Sequence, residues 1–361
     1  MTSEVRENPF VLTERVIIAP GRGRRPSDFK KERRERKPAP CFFCPGQEDK
    51  TPHEILSYRF NGSEIDRDGW WVRVVPNLFP AFELANSIKK SQRGLYESYP
   101  AAGIQEVVIT RYHDMDLGDK NFDHEFNLTR EVLWVLSQRK QDLKSMLMDK
   151  SSSIYDELDT GEKEGALLKY VLPFKNYGRE AGASLDHGHL QLMGSAFVPG
   201  RIKREIDAGK DHYEENKSCL YCDSIKQDLE EGDRIVDCNE DFVVLTPHAS
   251  RFPFETWILP RNHEPHYNLT GDNGSEGTAT KLSKILRRTF LRLNTALDDP
   301  DYNFYIHDSP LDFNGCGYYH WHIEISPVLS KAGGWEKGTG DWINVMPPED
   351  AADYLRKVIE F

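Results

Sequence analysis

Between Asn176 and Gln191 the chain reads NYGREAGASLDHGHLQ, and its two histidines and terminal amide are the residues best equipped for chemistry. Alternate side chains of an extended run share a face, so His187, His189 and Gln191 would project together. An imidazole with a fixed tautomer serves as metal ligand, general base or nucleophile. The glycines ahead of it, Gly178 and Gly182, let backbone N–H groups approach a phosphate closely. A run of the same form, His320-Trp-His322-Ile-Glu324, lies near the C-terminus with a carboxylate in place of the amide.

Two CxxC pairs accompany these runs, Cys41/Cys44 and Cys219/Cys222. In a reducing compartment such pairs are metal clips or redox sites rather than structural disulfides. Cys238 and Cys316 have no partner pattern and read as core residues. Each half adds a histidine just past a strand, then the first histidine of its HxH run. The resulting sets are Cys41, Cys44, His113 and His187, and Cys219, Cys222, His263 and His320. Two thiolates and two imidazoles suit tetrahedral zinc and leave no position open for water, so both are expected to be structural Zn2+ sites. With His187 held by metal, His189 stays free on the same face. Its neutral nitrogen can attack phosphorus to give a phosphoramidate, or act as a general base toward water. The Ser184 hydroxyl, the Gln191 amide and the N–H groups of the 178–184 turn would meet charge building on a phosphate. Arg22 and Arg25 sit on a loop stiffened by glycine and proline and are candidate phosphate contacts, whereas Lys30 to Lys37 reads as a solvated charge run.

These residues need elements to position them. Residues 9–19 read as a strand. Trp70 to Val75 is a strand ending in Pro76-Asn77-Leu78-Phe79-Pro80, which places Asn77 at a loop mouth. Glu106 to Thr110 precedes His113. Apolar residues at Leu128, Val132, Val135, Leu136, Leu143 and Leu147 predict an amphipathic helix. Residues 150–165 read as a polar surface connection, and Tyr170 to Phe174 runs into the first histidine pair. Residues 199–217 are charged and linker-like. After them the order repeats: CxxC, strand 241–246, strand 254–259 with His263 beyond, a helix marked by Leu282, Ile285, Leu286, Phe290, Leu293 and Leu297, strand 303–306, and HxH. Asn176 precedes His187 by the same 11 residues that separate Ser309 from His320. The expected fold is α+β: two copies from an internal duplication, residues 1–198 and 199–361, with a mostly antiparallel sheet and flanking helices, sharing one sheet or packed face to face.

The chain has 361 residues, a net charge of −12 and 29% charged residues, which argues against a nucleic-acid backbone binder. No run approaches the ~18 apolar residues of a membrane span, and the N-terminus lacks the plan of a secretory signal, so a cytoplasmic protein is expected.

The motifs NxGxxxGAS followed by HxHxQ, the first CxxC, and the NxFPA-like loop resemble the galactose-1-phosphate uridylyltransferase family of the histidine-triad superfamily, over nearly the whole chain. The resemblance implies that His189 is the nucleophile of a nucleotidyl-histidine and that Gln191 binds its phosphoryl oxygens. It implies zinc at Cys41, Cys44, His113 and His187, and contacts to the nucleotide from Arg22, Arg25, Asn77, Asn176, Gly182 and Ser184. Glu336 would contact hexose hydroxyls, from the neighbouring subunit of a homodimer. The implied reaction is ping-pong transfer of UMP from UDP-glucose, a nucleotide sugar, to galactose 1-phosphate, a hexose 1-phosphate. Departures from the family pattern are HGHLQ in place of HPHGQ, the 331–344 segment, and the second CxxC. They resemble a sub-branch that includes plant ADP-glucose phosphorylase, so phosphorolysis of ADP-glucose or of a dinucleoside polyphosphate is the second reading. The resemblance also implies an iron site in some members, here at His320 and His322 with His307. A different class, a non-catalytic nucleotide-binding zinc protein, leaves His189 and Gln191 without a purpose.

Overall fold

The computed structural model describes residues 2–22, 40–83, 90–117, 119, 127–148, 168–269, 277–313 and 317–358. Arg25, Cys316, Lys30 to Lys37 and the 150–165 connection lie outside them. The strands are β1 (Glu4–Glu7), β2 (Arg15–Ile18), β3 (Leu56–Arg59), β4 (Trp70–Pro76), β5 (Ser91–Arg93), β6 (Tyr96–Ser98), β7 (Gly103–Thr110), β8 (Tyr170–Tyr177), β9 (His189–Ser195), β10 (Ile235–Cys238), β11 (Phe242–Leu245), β12 (Thr256–Pro260), β13 (Tyr302–His307), β14 (His322–Pro327) and β15 (Trp342–Asn344). The helices are α1 (Leu128–Met148), α2 (Gly200–Asn216), α3 (Leu220–Glu231), α4 (Thr278–Leu297), α5 (Gly334–Thr339) and α6 (Pro348–Lys357).

Ten strands form one sheet in the order β10-β11-β12-β14-β13-β8-β9-β7-β4-β3. Its neighbours are all antiparallel. Cut between β13 and β8, it gives two five-stranded sets of matching order, so the two copies share a sheet. They meet through the β8–β13 ladder, where Asn176 faces Asn303. The ladder also corrects the equal-spacing correspondence. Phe174 lies opposite Gln191 and Tyr305 opposite Glu324. Two residues further on are Asn176 in one copy and His307 in the other, so His307 rather than Ser309 corresponds to Asn176. A smaller sheet joins β1, β2 and β15, with β15 parallel to β2.

Strand alternation sorts the two sheet faces. Leu190, Leu192, Ile323 and Ile325 turn to the face covered by α1 and α4, where the predicted apolar residues from Leu128 to Leu143 and from Leu282 to Leu297 are buried in one cluster with them. Between those leucines and isoleucines, His189, Gln191, His322 and Glu324 turn to the opposite face. In the second copy that face is filled by Phe10, Val11, Tyr221 and Ile225 against Val243, Leu245, Trp257 and Leu259. Among the described residues, the matching cluster in the first copy is Trp70, Val75, Val107 and Ile109 with Phe43 beside it. One copy is therefore plugged, and the other retains room.

Three sequence readings change. Residues 199–217 are not a linker but hold α2; its inward face is Ile202, Glu205, Ala208 and Gly209, a stripe too polar to register as amphipathic. The 9–19 strand is only β2, because Phe10 and Val11 turn into the second copy's core. Cys238 ends an edge strand and is exposed.

A buried ion pair ties α1 to β7: Arg139 donates from Nε and Nη2 to both carboxylate oxygens of Glu106, each at 2.8 Å. Removing one partner strands the other charge. Arg139→Met is expected to cost about 3–5 kcal/mol in chemical denaturation, and the double change Arg139→Met/Glu106→Leu to cost much less.

Candidate functional site

β9 begins at His189, and the preceding turn presents His187 to the end of β7. His187 Nε2 donates to the Thr110 carbonyl at 2.6 Å, which leaves Nδ1 as its free lone pair. His189 is set the other way: Nδ1 donates to the His187 carbonyl at 2.8 Å, so Nε2 carries the lone pair. Burial lowers both imidazoles to about 4, with the Lys175 charge adding to the effect at His189, so each is neutral at physiological pH. Lys175, itself buried, donates to the His189 carbonyl at 2.9 Å and pairs with Asp116 at 2.8 Å. That pair joins the loop beyond His113 to the histidine strand.

His187 Nδ1 faces the first cysteine pair. It lies 3.4 Å from Cys41 Sγ and 3.6 Å from Cys44 Sγ, the two sulfurs are 3.8 Å apart, and His113 Nδ1 is 3.3 Å from Cys44 Sγ. A tetrahedron with arms of ~2.3 Å to sulfur and ~2.0 Å to nitrogen has edges of about 3.3–3.8 Å, so the four residues fit a closed zinc-type site. Burial pushes the Cys41 thiol up to about 11, a cost that a bound cation would reverse. The second set repeats the plan. Cys222 Sγ lies 3.5 Å from His263 Nδ1 and 3.6 Å from His320 Nδ1, and His320 Nε2 donates to the Pro260 carbonyl at 3.0 Å. Cys219, Cys222, His263 and His320 converge as predicted. Cys219 is the N-cap of α3, so this CxxC opens a helix.

A cavity of about 230 Å³ opens over His189. Its lining includes Asn77, Ser184, His189 and Gln191, joined by Lys50 and Phe43, which the sequence reading missed. Lys50 sits six residues past Cys44, on a turn that the CxxC anchors, and that proximity was the available signal. Asn176 is not in the lining, but its Nδ2 lies 3.7 Å from where a Cβ on Gly182 would stand. Gly182 has φ +88° and Gly178 φ +86°, both left-handed. At Gly178 a Cβ would fall 2.0 Å from the Asp301 carboxylate, so glycine is required there. Arg22 is exposed in the turn Pro20–Arg22 and does not line the cavity. Nor does Glu336, whose Oε2 accepts the Gly333 N–H at the start of α5.

The iron pair expected at His320 and His322 is split, because His320 belongs with the cysteines. His322 instead joins His307, Glu205 from α2, and Glu324. His307 Nδ1 is 3.0 Å from Glu205 Oε1 and 3.5 Å from Glu324 Oε1, and His322 Nε2 is 3.4 Å from Glu324 Oε1. All four atoms are buried and make no hydrogen bond. Arg201 also approaches Glu205 Oε1 at 3.3 Å and Glu324 Oε1 at 3.6 Å, and the two converging imidazoles and two carboxylates fit a divalent first-row cation. Burial opposes ionisation of Glu324, but Arg251, His307 and Arg201 hold it well below the usual carboxylate range. Where His189 Nε2 meets a cavity, His322 Nε2 meets carboxylates.

Residues 205–333 match the model for the galactose-1-phosphate uridyl transferase C-terminal domain. An ADP-glucose phosphorylase of Arabidopsis thaliana is 31% identical over 98% of this chain and 93% of its own. A galactose-1-phosphate uridylyltransferase of Haemophilus influenzae is 26% identical over 98% of this chain and 94% of its own. The crystal structure of an Arabidopsis thaliana ADP-glucose phosphorylase with bound ADP-glucose superposes with a TM-score of 0.76 at 28% identity, covering 99% of this chain and 100% of that one. Among the described residues no helix is long and apolar enough to cross a membrane.

Metal analysis separates the two Cys2His2 sets. Cys41→Ser/Cys44→Ser and Cys219→Ser/Cys222→Ser are each expected to remove about one zinc equivalent per chain, and removal of the first is expected to abolish turnover by freeing His187.

Proposed function

Because this chain belongs to the galactose-1-phosphate uridylyltransferase family of nucleotidyltransferases, we propose that it transfers an adenylyl group from ADP-glucose to phosphate through a nucleotidyl-histidine at His189. The observation that carries the nucleophile is the tautomer: with Nδ1–H committed to the His187 carbonyl, the Nε2 lone pair belongs to the cavity. In the first step the His189 Nε2–P bond forms as the P–O bond to glucose 1-phosphate breaks. In the second, a phosphate oxygen attacks the same phosphorus, the N–P bond breaks, and ADP leaves. Gln191 and Asn77 supply donors for the phosphoryl oxygens, and Ser184 adds a hydroxyl. Adenylyl rather than uridylyl transfer is favoured by the greater likeness to ADP-glucose phosphorylase, 31% against 26% over the same share of this chain.

Uridylyl transfer from UDP-glucose to galactose 1-phosphate is the second reading, favoured by the match of residues 205–333. Zinc fits both Cys2His2 sets, in the first of which it would hold the strands around His189, and the Glu205 set would take iron or a similar cation. We expect a cytoplasmic homodimer. Glu336, which does not line the cavity of its own chain, would there serve the sugar of the partner's site.

Incubation with ADP-glucose is expected to raise the mass of the intact chain by one adenylyl group and release one glucose 1-phosphate. His189→Gly is expected to abolish the adduct and lower turnover at least about 10⁴-fold. An adduct with UDP-glucose alone would turn the assignment to the second reading.

A further inference from the structure

Two amides, Asn77 and Gln191, line the cavity over His189, a third, Asn176, lies beside the Gly182 turn, and in each the carbonyl oxygen is already used. Asn77 Oδ1 accepts the Phe79 N–H at 2.9 Å within its own loop. Gln191 Oε1 accepts from Gln105 Nε2 at 2.9 Å, and Asn176 Oδ1 accepts from Asn303 Nδ2 at 2.9 Å. The last two orientations are anchored by groups that cannot reverse. Gln105 Oε1 accepts the Ala81 backbone N–H at 2.8 Å, so its other amide atom is NH2 and the Gln191 atom that faces it is oxygen. Asn303 Nδ2 also donates to the Ala181 carbonyl at 2.9 Å, which fixes it as nitrogen and the Asn176 atom as oxygen. Among the described residues, the NH2 groups of Gln191 and Asn176 are thereby left for a ligand rich in acceptors and poor in donors, such as a phosphodiester.

We propose that Gln105 and Asn303 are positioning residues that hold the Gln191 and Asn176 amides with their donors toward the phosphoryl group. The inference rests on the nucleotidyl-transfer reading above. A freely turning amide would present its oxygen to the phosphoryl group part of the time, where lone pairs oppose lone pairs. Orientation set before substrate arrives removes that state and the reorganisation it entails. Asn303 adds a second consequence: it stands on β13, so the second copy sets the turn of the first. Asp301 supports the same turn by accepting the Glu180 N–H at 2.8 Å, and Asp299 accepts from the Tyr177 hydroxyl at 2.8 Å. The plugged copy thus has a part in the chemistry of the open one without binding substrate.

The test uses the full-length, metal-loaded protein and single-turnover formation of the adenylyl adduct from ADP-glucose. Gln105→Met removes the donor without adding charge. It is expected to slow adduct formation on the order of tenfold to a hundredfold, approaching the loss of one transition-state donor, with the Kd for ADP-glucose changed less than about threefold. In a Gln191→Ala background the same change is expected to have no further effect, because the amide it orients is gone. Asn303→Asp in wild-type and Asn176→Ala backgrounds is the parallel cycle. Full additivity in both cycles, or a wild-type rate in Gln105→Met, overturns the proposal. Absence of adduct from the unmodified protein with either nucleotide sugar instead overturns the reading on which it rests.

Discussion

One hydrogen bond organises the site: the His189 Nδ1–H to the carbonyl of His187, two residues back. It decides which nitrogen of His189 keeps a lone pair, and therefore whether the cavity faces a base or a donor. The carbonyl is only as well placed as His187 itself. That ring is held between the Thr110 carbonyl and the cysteine pair, so the β7 end, the CxxC turn and the β9 start form one unit. Lys175 closes the unit from the far face of the sheet by holding the His189 carbonyl and Asp116 together. Chemistry at a histidine needs its ring fixed to a fraction of an ångström, and here the closed ligand set supplies that rigidity without offering a coordination site to substrate.

The second copy shows what the same motif does under different neighbours. His322 Nδ1 faces the His320 carbonyl at 3.2 Å, as His189 faces that of His187. The carboxylate of Glu324 replaces an amide, His307 stands where Asn176 would, and Glu205 enters from α2. Phe10 and Tyr221 also pack over this face, buried with Trp257. An imidazole that can be a nucleophile thus becomes a partner in a buried charge cluster. The copies remain coupled through the β8–β13 ladder, where the second lends side chains to the turn of the first.

Much of this was legible in the residues because the chemistry demands particular types at particular spacings. Two CxxC pairs and two HxH runs in the same order specify a duplication and two closed ligand sets, and both sets converge in space. Apolar periodicity located α1 and α4, since each buries one stripe on one core. The failures have physical causes too. α2 was read as a linker because its buried face carries Glu205, whose burial depends on ligands far away in sequence, and Gly209, where a Cβ would fall 2.3 Å from the Tyr318 carbonyl. Glu324 was read only as a substituted amide, since its partners Arg251, Arg201 and His307 come from three separate elements. Gln105 was invisible inside a strand, because an amide that orients another amide leaves no local pattern. The equal spacing of Asn176 and Ser309 from their histidines misled, as the connecting loops differ and only the ladder fixes the correspondence.

The central claim is that His189 bonds to phosphorus instead of activating another nucleophile. The stereochemical course at the transferred phosphorus tests it most directly, using one diastereomer of ADP-glucose with sulfur on the adenosine-linked phosphate and inorganic phosphate as acceptor. Two in-line displacements, onto His189 and off it, predict product of retained configuration. Inversion would mean a single displacement, with no histidine intermediate, and would contradict the account.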